Sequence, residues 1–546
     1  MRGRGYIFDT SAGTKPSSEA LNRSEQIDFV KVTIEDHEET GELSSTVVSQ
    51  SPQAIETPRW RMNVRNVAVA AGLLIVTAIA VVVGYRFFIT RAPGAAPIHS
   101  IAVLPFQNES GNPDLEYLSD GVSESLINRL SQLPGIKVIA RTSSFKYKPS
   151  DDPQQVARSL GVQAILTGRV TQRGENLLIS AELVNAGDKT QVWGARYDRK
   201  SSDLLAVQAD ISHEIAETLR LRLTAGEQQQ LARRETVNPQ AYELLLRGRA
   251  IRAKGGGKRA ADYFNQAIAA DPGYAVAYAD LAMTYSSSVT ASELDPKEFM
   301  PKAEAAAHRA LELDESLAEG HVALAGTKLI AWDWAADERE YKRALELNPN
   351  RAGSRVMYSL YLSLMGRFDE AIAEVKRARE LDPLSPAVNQ QFGNRLLVAR
   401  RYDEAIEAAK RSIELDETRP GGYVLLGDIY ATKGQFHEAV AAFEEGVKLG
   451  AGSPDTQIYM GAAYAKAGER EKAQAILKQL ETRKEYVSAA LAVLYLALGE
   501  REKALARLER GYAEHDNQLQ FLRSDPNFDP LRGDPRFQEL MRRVGL

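Results

Sequence analysis

Three short stretches carry residue types at spacings that could do chemistry. Gly255-Gly256-Gly257-Lys258 offers glycines before a lysine, the opening of a phosphate cradle. A phosphate loop also needs a glycine five places before its Gly-Lys pair and a hydroxyl residue after the lysine. Arg252 and Arg259 stand there, so the stretch reads as a turn between helices. His213-Glu214-Ile215-Ala216-Glu217 is one residue short of a zinc-binding HExxH, because Glu217 replaces the second histidine. With 7 histidines scattered along the chain, no metal site is expected. Ser143-Ser144-Phe145-Lys146 has the SxxK spacing of a nucleophilic serine but none of the companion motifs. No catalytic residue, metal or cofactor is assigned, and the chain is expected not to be an enzyme.

One constellation stays open. Asn108 follows a first strand, Asp120 lies on a first helix, and Arg141 and Ser143 follow a second strand. Strand ends in an open sheet face a common crevice, where Arg141 could pair a carboxylate or phosphate. The plainer reading is an internal Arg141–Asp120 salt bridge that fixes the loops.

The elements that would position these residues follow from the patterning. His99–Phe106 reads as a buried strand, and Leu115–Leu133 has helical spacing through Leu118, Val122, Leu126 and Leu130. Ile136–Ala140 is a second strand and Pro153–Leu160 a short helix. Three strands follow at Gln163–Thr171, Asn176–Leu183 and Gln191–Tyr197, the first pair joined by an Arg173-Gly174-Glu175-Asn176 hairpin turn. A helix from Asp203 to Leu223 closes the unit. This βαβαβββα order implies a mixed sheet with helices packed on it, an α/β domain over 98–224.

The strings IAVLPFQNES at 101–110, EYLSDGVSESLINRLSQL at 116–133 and IKVIARTSSFKYK at 136–148 resemble the TolB amino-terminal-like domain. LGVQAILTGRV at 160–170 and QVWGARYDR at 191–199 extend the resemblance. It implies a non-enzymatic domain that often sits between a membrane helix and tetratricopeptide repeats, with a kinase, a cyclase or a DNA-binding module upstream. Here residues 1–66 supply only a polar tail, without kinase motifs or a basic recognition helix.

Beyond residue 238 the chain repeats itself. Helix-closing turns recur as AADP at 269–272, LDE at 313–315, LNP at 347–349, LDP at 381–383 and LDE at 415–417. The last three intervals are 34 residues, a period that resembles the tetratricopeptide repeat of two antiparallel helices. Small residues mark the first helix at Gly248, Ala282, Ala325, Ser359, Gly393, Gly427 and Gly461. Alanine marks the second at Ala260, Ala303, Ala371, Ala405, Ala439, Ala473 and Ala504, with Asp337 the exception. About eight units are expected over 238–515, starting near 241, 275, 318, 352, 386, 420, 454 and 485. Extra residues around Ser286–Pro296 read as a loop insertion, and 516–546 as a polar cap with a last helix begun by Asp534 and Pro535.

In tetratricopeptide repeats the first helices line a concave groove. Carried onto the central units, that implies Val356, Leu360, Gln390, Asn394, Leu397, Val424 and Asp428 as partner-facing positions. The surface is apolar and amide-bearing and lacks the lysine and asparagine set that clamps a free carboxylate. An extended internal segment of a partner protein is the better ligand, held by the Asn394 amide.

A final stretch sets the location. Residues 67–89 are apolar all round and uncharged through Tyr85, and that uncharged part alone covers roughly 28 Å as a helix. They read as a transmembrane helix, followed by a 90–97 linker. Arg59, Arg61 and Arg65 before it, against Arg86 and Arg91 after it, favour a cytoplasmic N-terminus. The body would then be periplasmic on a bacterial inner membrane, in keeping with the absence of cysteine. A formal charge of −5, from 68 basic and 73 acidic residues, gives no field for nucleic acid. The expected whole is multidomain: a single transmembrane helix, an α/β TolB-like domain and an all-α superhelix. Its expected work is a membrane-anchored protein-interaction scaffold, or alternatively a sensor whose α/β domain binds a small ligand.

Overall fold

Ile101, Ala102, Val103 and Leu104 are each at most 1% exposed, which requires a strand covered on both faces. Side chains alternate across a strand, so Ile101 and Val103 enter one apolar core and Ala102 and Leu104 another. The first core holds helix α1 (Glu116–Ser131) and helix α4 (Leu204–Thr218) against the sheet. The second holds helix α3 (Pro153–Leu160), begun by the Asp152 carboxylate accepting from the Gln154 N–H and ended at Gly161, φ 64°. A four-residue helix α2 (Arg141–Ser144) precedes α3.

The strands are β1 (Ser100–Val103), β2 (Gln107–Asn108), β3 (Lys137–Val138), β4 (Ala164–Arg173), β5 (Asn176–Asn185) and β6 (Gln191–Lys200). Their sheet order is β3-β1-β4-β5-β6, with β2 beside β4. β1 runs parallel to β3 and β4, whereas β4, β5 and β6 form antiparallel hairpins. Arg173 pairs Asn176 across the first hairpin, and Gly174 takes the left-handed conformation at φ 61°. The expected α/β order is therefore present, with β2 and α2 added.

This computed structural model describes residues 98–546 apart from 201–202, 220, 222, 227, 229–235, 237, 254–255, 291–293 and 483–488. The tail, the expected span at 67–89 and the linker lie outside the described residues. Among those described, no helix is long and apolar enough to cross a membrane.

Eight helix pairs follow among the described residues, from Pro239–Ala253 with Gly257–Ala270 to Leu491–Ala497 with Arg501–Ala513. The small residues sit at helix contacts: a Cβ built at Gly248 would lie 2.5 Å from Phe264, and one at Gly427 2.8 Å from Phe443. The insertion is not wholly a loop, because its first part lengthens the first helix of unit 2, Ala275–Thr290. Nor is the C-terminal stretch a polar cap. Its helix Pro535–Val544 is capped by Asp534 as expected, but Phe528, Leu531, Phe537, Leu540 and Val544 are all buried.

The α/β domain and the array share the first core, which runs on through Tyr242, Leu246 and Phe264 to Leu324. Gly121 of α1 makes this possible, since a Cβ there would lie 2.5 Å from Leu246. The Tyr242 hydroxyl meets Ser125 Oγ at 2.7 Å and accepts from the Gln208 amide at 2.9 Å. Farther along, Asn350 donates to the Ser131 and Ile136 carbonyls, and the Ala140 N–H donates to the Leu381 carbonyl at 2.8 Å.

Candidate functional site

The open constellation is dispersed by its own neighbours. Asn108 serves its own turn, donating to the Asn112 carbonyl and accepting from the Ser110 N–H. Asp120 and Glu124, one turn apart on α1, both face Arg141, at 3.1 and 3.3 Å. That guanidinium also lies over the Phe145 ring, 4.3 Å from its centroid. Burial raises the Asp120 carboxyl above its usual range, and Arg141 opposes the rise. Ser143 turns away to the repeats, donating to Asp382 and accepting from the Leu384 N–H at 2.8 Å. The structure thus unites Asp120 with Arg141 and assigns Ser143 to the domain seam.

The other motifs are also used locally. His213 and Glu217 form an exposed pair at 3.4 Å. Glu214 accepts from the Trp193 indole and the Tyr197 hydroxyl, which locks α4 onto β6. Gly256 is the N-cap of the second helix of unit 1, and Gly255 lies outside the described residues. No group of three or more His, Asp and Glu among the described residues could hold a metal.

The groove positions divide. Val356, Leu360, Gln390, Asn394 and Val424 are half-buried on the first helices of units 4, 5 and 6. The Asn394 amide has no hydrogen-bond partner among the described residues, so it does not bridge adjacent repeats. Leu397 departs from expectation: it is 7% exposed and packs with Phe392, Leu396 and Leu425, so it belongs to the core and not to the groove surface. Asp428 lines a cavity of about 230 Å³ between units 5 to 8 and the segment around Pro526–Pro530. Burial and the nearby Asp525 carboxylate hold Asp428 well above the usual carboxylate range. Tyr459 donates to Asp525 at 2.9 Å on the same wall.

The sequence reading missed Tyr459 and Asp525, because the C-terminal segment was read as a cap on unit 8 alone. It reaches back to units 3, 4 and 5. The Trp334 indole donates to the Val544 carbonyl at 2.8 Å, Arg523 donates to the Met365 carbonyl, and Arg400 pairs with Asp529 at 2.6 Å. The Asp-Pro pairs at 525, 529 and 534 were the available signal, since each can start a turn that redirects the chain.

Comparison with known proteins finds matches in both parts of the chain. Tetratricopeptide-repeat family profiles match residues 420–449 and 486–510, so the array is of that repeat type. Residues 98–218 match the family described as HilA/YgeH-like transcriptional regulator, second domain, in place of the TolB-like family that the sequence motifs implied. Solved structures with similar repeat regions include one described as the functional characterization of Pseudomonas aeruginosa pilF: 20% identity, 42% of this chain, 96% of that chain, TM-score 0.32. Another is YrrB, "a TPR protein with an unusual peptide-binding site", at 20% identity over 40% of this chain and 99% of that one, TM-score 0.26. A curated protein of Rhizobium meliloti (strain 1021), "Putative adenylate cyclase 3", is 35% identical over 247 residues, or 44% of this chain. The matched part is 42% of that relative's own length. That relative's name is that of an enzyme, and this partial match overturns the expectation that the chain is not an enzyme.

Proposed function

We propose that this chain binds an extended segment of a partner protein in the concave groove of its tetratricopeptide array, in the service of a regulatory system at a bacterial inner membrane. The observation that carries the reading is the Asn394 amide, half-buried on a first helix and without a hydrogen-bond partner among the described residues. Both ends of an amide can bond a peptide backbone, and Val356 and Leu360 flank it with apolar surface. A photo-crosslinker placed at Leu360 of the full chain should capture the partner from native membranes. The captured segment should then bind Asn394→Ala roughly 1–2 kcal/mol more weakly with the melting temperature unchanged. Unchanged affinity rules the groove out.

The membrane anchor belongs to this reading. Residues 67–89 cross once, the N-terminus is cytoplasmic and the body periplasmic, so protease added to spheroplasts should remove everything after residue 90. Full protection reverses the orientation.

A second reading rests on the relative named a putative adenylate cyclase. In it, the α/β domain and array regulate nucleotide cyclisation, carried by this polypeptide or by its partner. Cyclic AMP formation by the purified chain, alone and with the captured partner, separates those two sources.

A further inference from the structure

Three units of the array carry one ion pair in the same place on their second helix. Arg309 pairs with Glu312, Arg343 with Glu346 and Arg411 with Glu414, at 2.9, 3.0 and 3.0 Å. Unit 4 breaks the pattern twice. Arg377 pairs backwards with Glu374, and Glu380 is left beside Lys137 of the α/β domain. Between them, Arg379 stands where the neighbouring units have Leu311, Leu345 and Ile413.

Arg379 and Glu380 line a cleft of about 460 Å³ between the α/β domain and units 4 and 5. Lys137 and Arg158 enter from one side, Arg379 and Arg411 from the other, and Glu380 is the one carboxylate on the wall. Lys137, Arg158 and Arg379 have no carboxylate within 4.0 Å among the described residues. Lys137 Nζ donates instead to the Gly161 carbonyl at 3.1 Å, and the Arg379 guanidinium lies over Phe392, 4.3 Å from the ring centroid. A solvated repeat face would keep the neighbours' ion pair and the aliphatic residue. This one gives up both and gathers cations where two domains meet.

We propose that this cleft binds a small anion with two or more charges, a phosphate ester or a polycarboxylate, that bridges the α/β domain to units 4 and 5. Guanidinium groups suit either, since each offers paired N–H donors to two oxygens. Burial holds the Lys137 ammonium below its ordinary range, and a bound anion reverses that bias. Binding also tightens the seam nearby, where Ala140 meets Leu381 and Ser143 meets Asp382.

The test uses the full chain, with sodium pyrophosphate and sodium citrate as probes against sodium chloride of equal ionic strength. Calorimetric titration and thermal unfolding are the readouts. The expected result is saturable binding of at least one probe with a raised unfolding midpoint; which probe acts tells phosphate from carboxylate. Arg379→Leu restores the residue type of the neighbouring units and should bind at least about tenfold more weakly. Arg158→Gln, on an exposed helix position, should do the same should Arg379→Leu fold poorly. Asn394→Ala should bind the anion normally, so failure of the groove reading leaves this one standing. Neither probe exceeding chloride, or equal binding by wild type and both arginine variants, overturns the proposal.

Discussion

The two edges of the repeat array are held by different means. On the edge where one unit passes to the next, the α/β domain is gripped by turn residues. Asn348 donates to Ser131 Oγ, Asn350 to two carbonyls, and Asp382 accepts from Ser143. These are the recurring turns of the repeat, used there for buried polar bonds. On the opposite edge, the turn inside units 3 to 8 takes a left-handed residue. Gly366, Gly434, Gly468 and Gly499 fill it at φ 77–89°, but Trp332 and Arg400 fill it in units 3 and 5. A side chain in that conformation costs roughly 1–2 kcal/mol. Both exceptions touch the C-terminal region: Trp332 packs on His515 at 4.0 Å between centroids, and Arg400 pairs with Asp529. One edge thus reuses residues the repeat already has. The other gives up backbone ease for contacts that glycine cannot make.

The strongest way to break this comparison is to remove one edge's occupant. A chain ending at residue 515 loses Phe528, Phe537, Leu540 and Val544 from the last core and frees units 3 to 5. It should unfold at least about 10 °C lower or aggregate under conditions in which the wild-type array stays folded. Equal unfolding curves mean the segment is not part of the folded array.

Unit 3 touches both edges and carries the largest single fault. Asp337 is fully buried where the other units have alanine, and neither of its oxygens has a hydrogen-bond partner among the described residues. Burial, with Asp333 and Glu338 nearby, pushes its pKa up to about 8. The folded state therefore keeps a proton that the unfolded chain releases near pH 4, and its stability falls as pH rises from about 4 to about 8. Asp337→Ala should stabilise by roughly 2–4 kcal/mol at pH 8 and flatten that slope. Chemical denaturation at pH 5 and pH 8 checks both; a slope that survives the substitution places its cause elsewhere.

Asp382→Ala sharpens the polar edge. It leaves the Ser143 hydroxyl without its acceptor inside the seam, at a cost of about 1–3 kcal/mol. Hydrogen exchange should rise at residues 137–145 and stay unchanged at 526–531. Arg400→Gly is its counterpart and the smallest effect. Relief of the left-handed strain offsets an exposed ion pair worth about 0–1 kcal/mol, so global stability should barely move. Exchange should now rise at 526–531 and not at 137–145, and the reverse pattern would refute the division into two edges.

The elements were legible because each is fixed by neighbours in the chain. The unbroken apolar run at Ile101–Leu104, the Asp152-Pro153 helix start and the 34-residue return of the turns act over a few residues or one repeat. The same local rule exposed Asp337 as an exception before any contact was known. Site residues fared unevenly for a related reason. Asn394 and Leu397 lie three residues apart on one helix, and its facing alone decides that one is available and the other buried.

What the sequence by itself determined, then, was the two-part plan: a mixed sheet with helices, then a repeat array with small residues where paired helices close. Only the tertiary structure decided where Ser143, Asp382, Trp332 and Arg400 act. Their partners lie far away in sequence, 239 residues for Ser143 and Asp382 and 129 for Arg400 and Asp529. No periodicity encodes such a pairing. It arises when stacked repeats curve enough to bring one edge to the α/β domain and the other to the returning C-terminal segment.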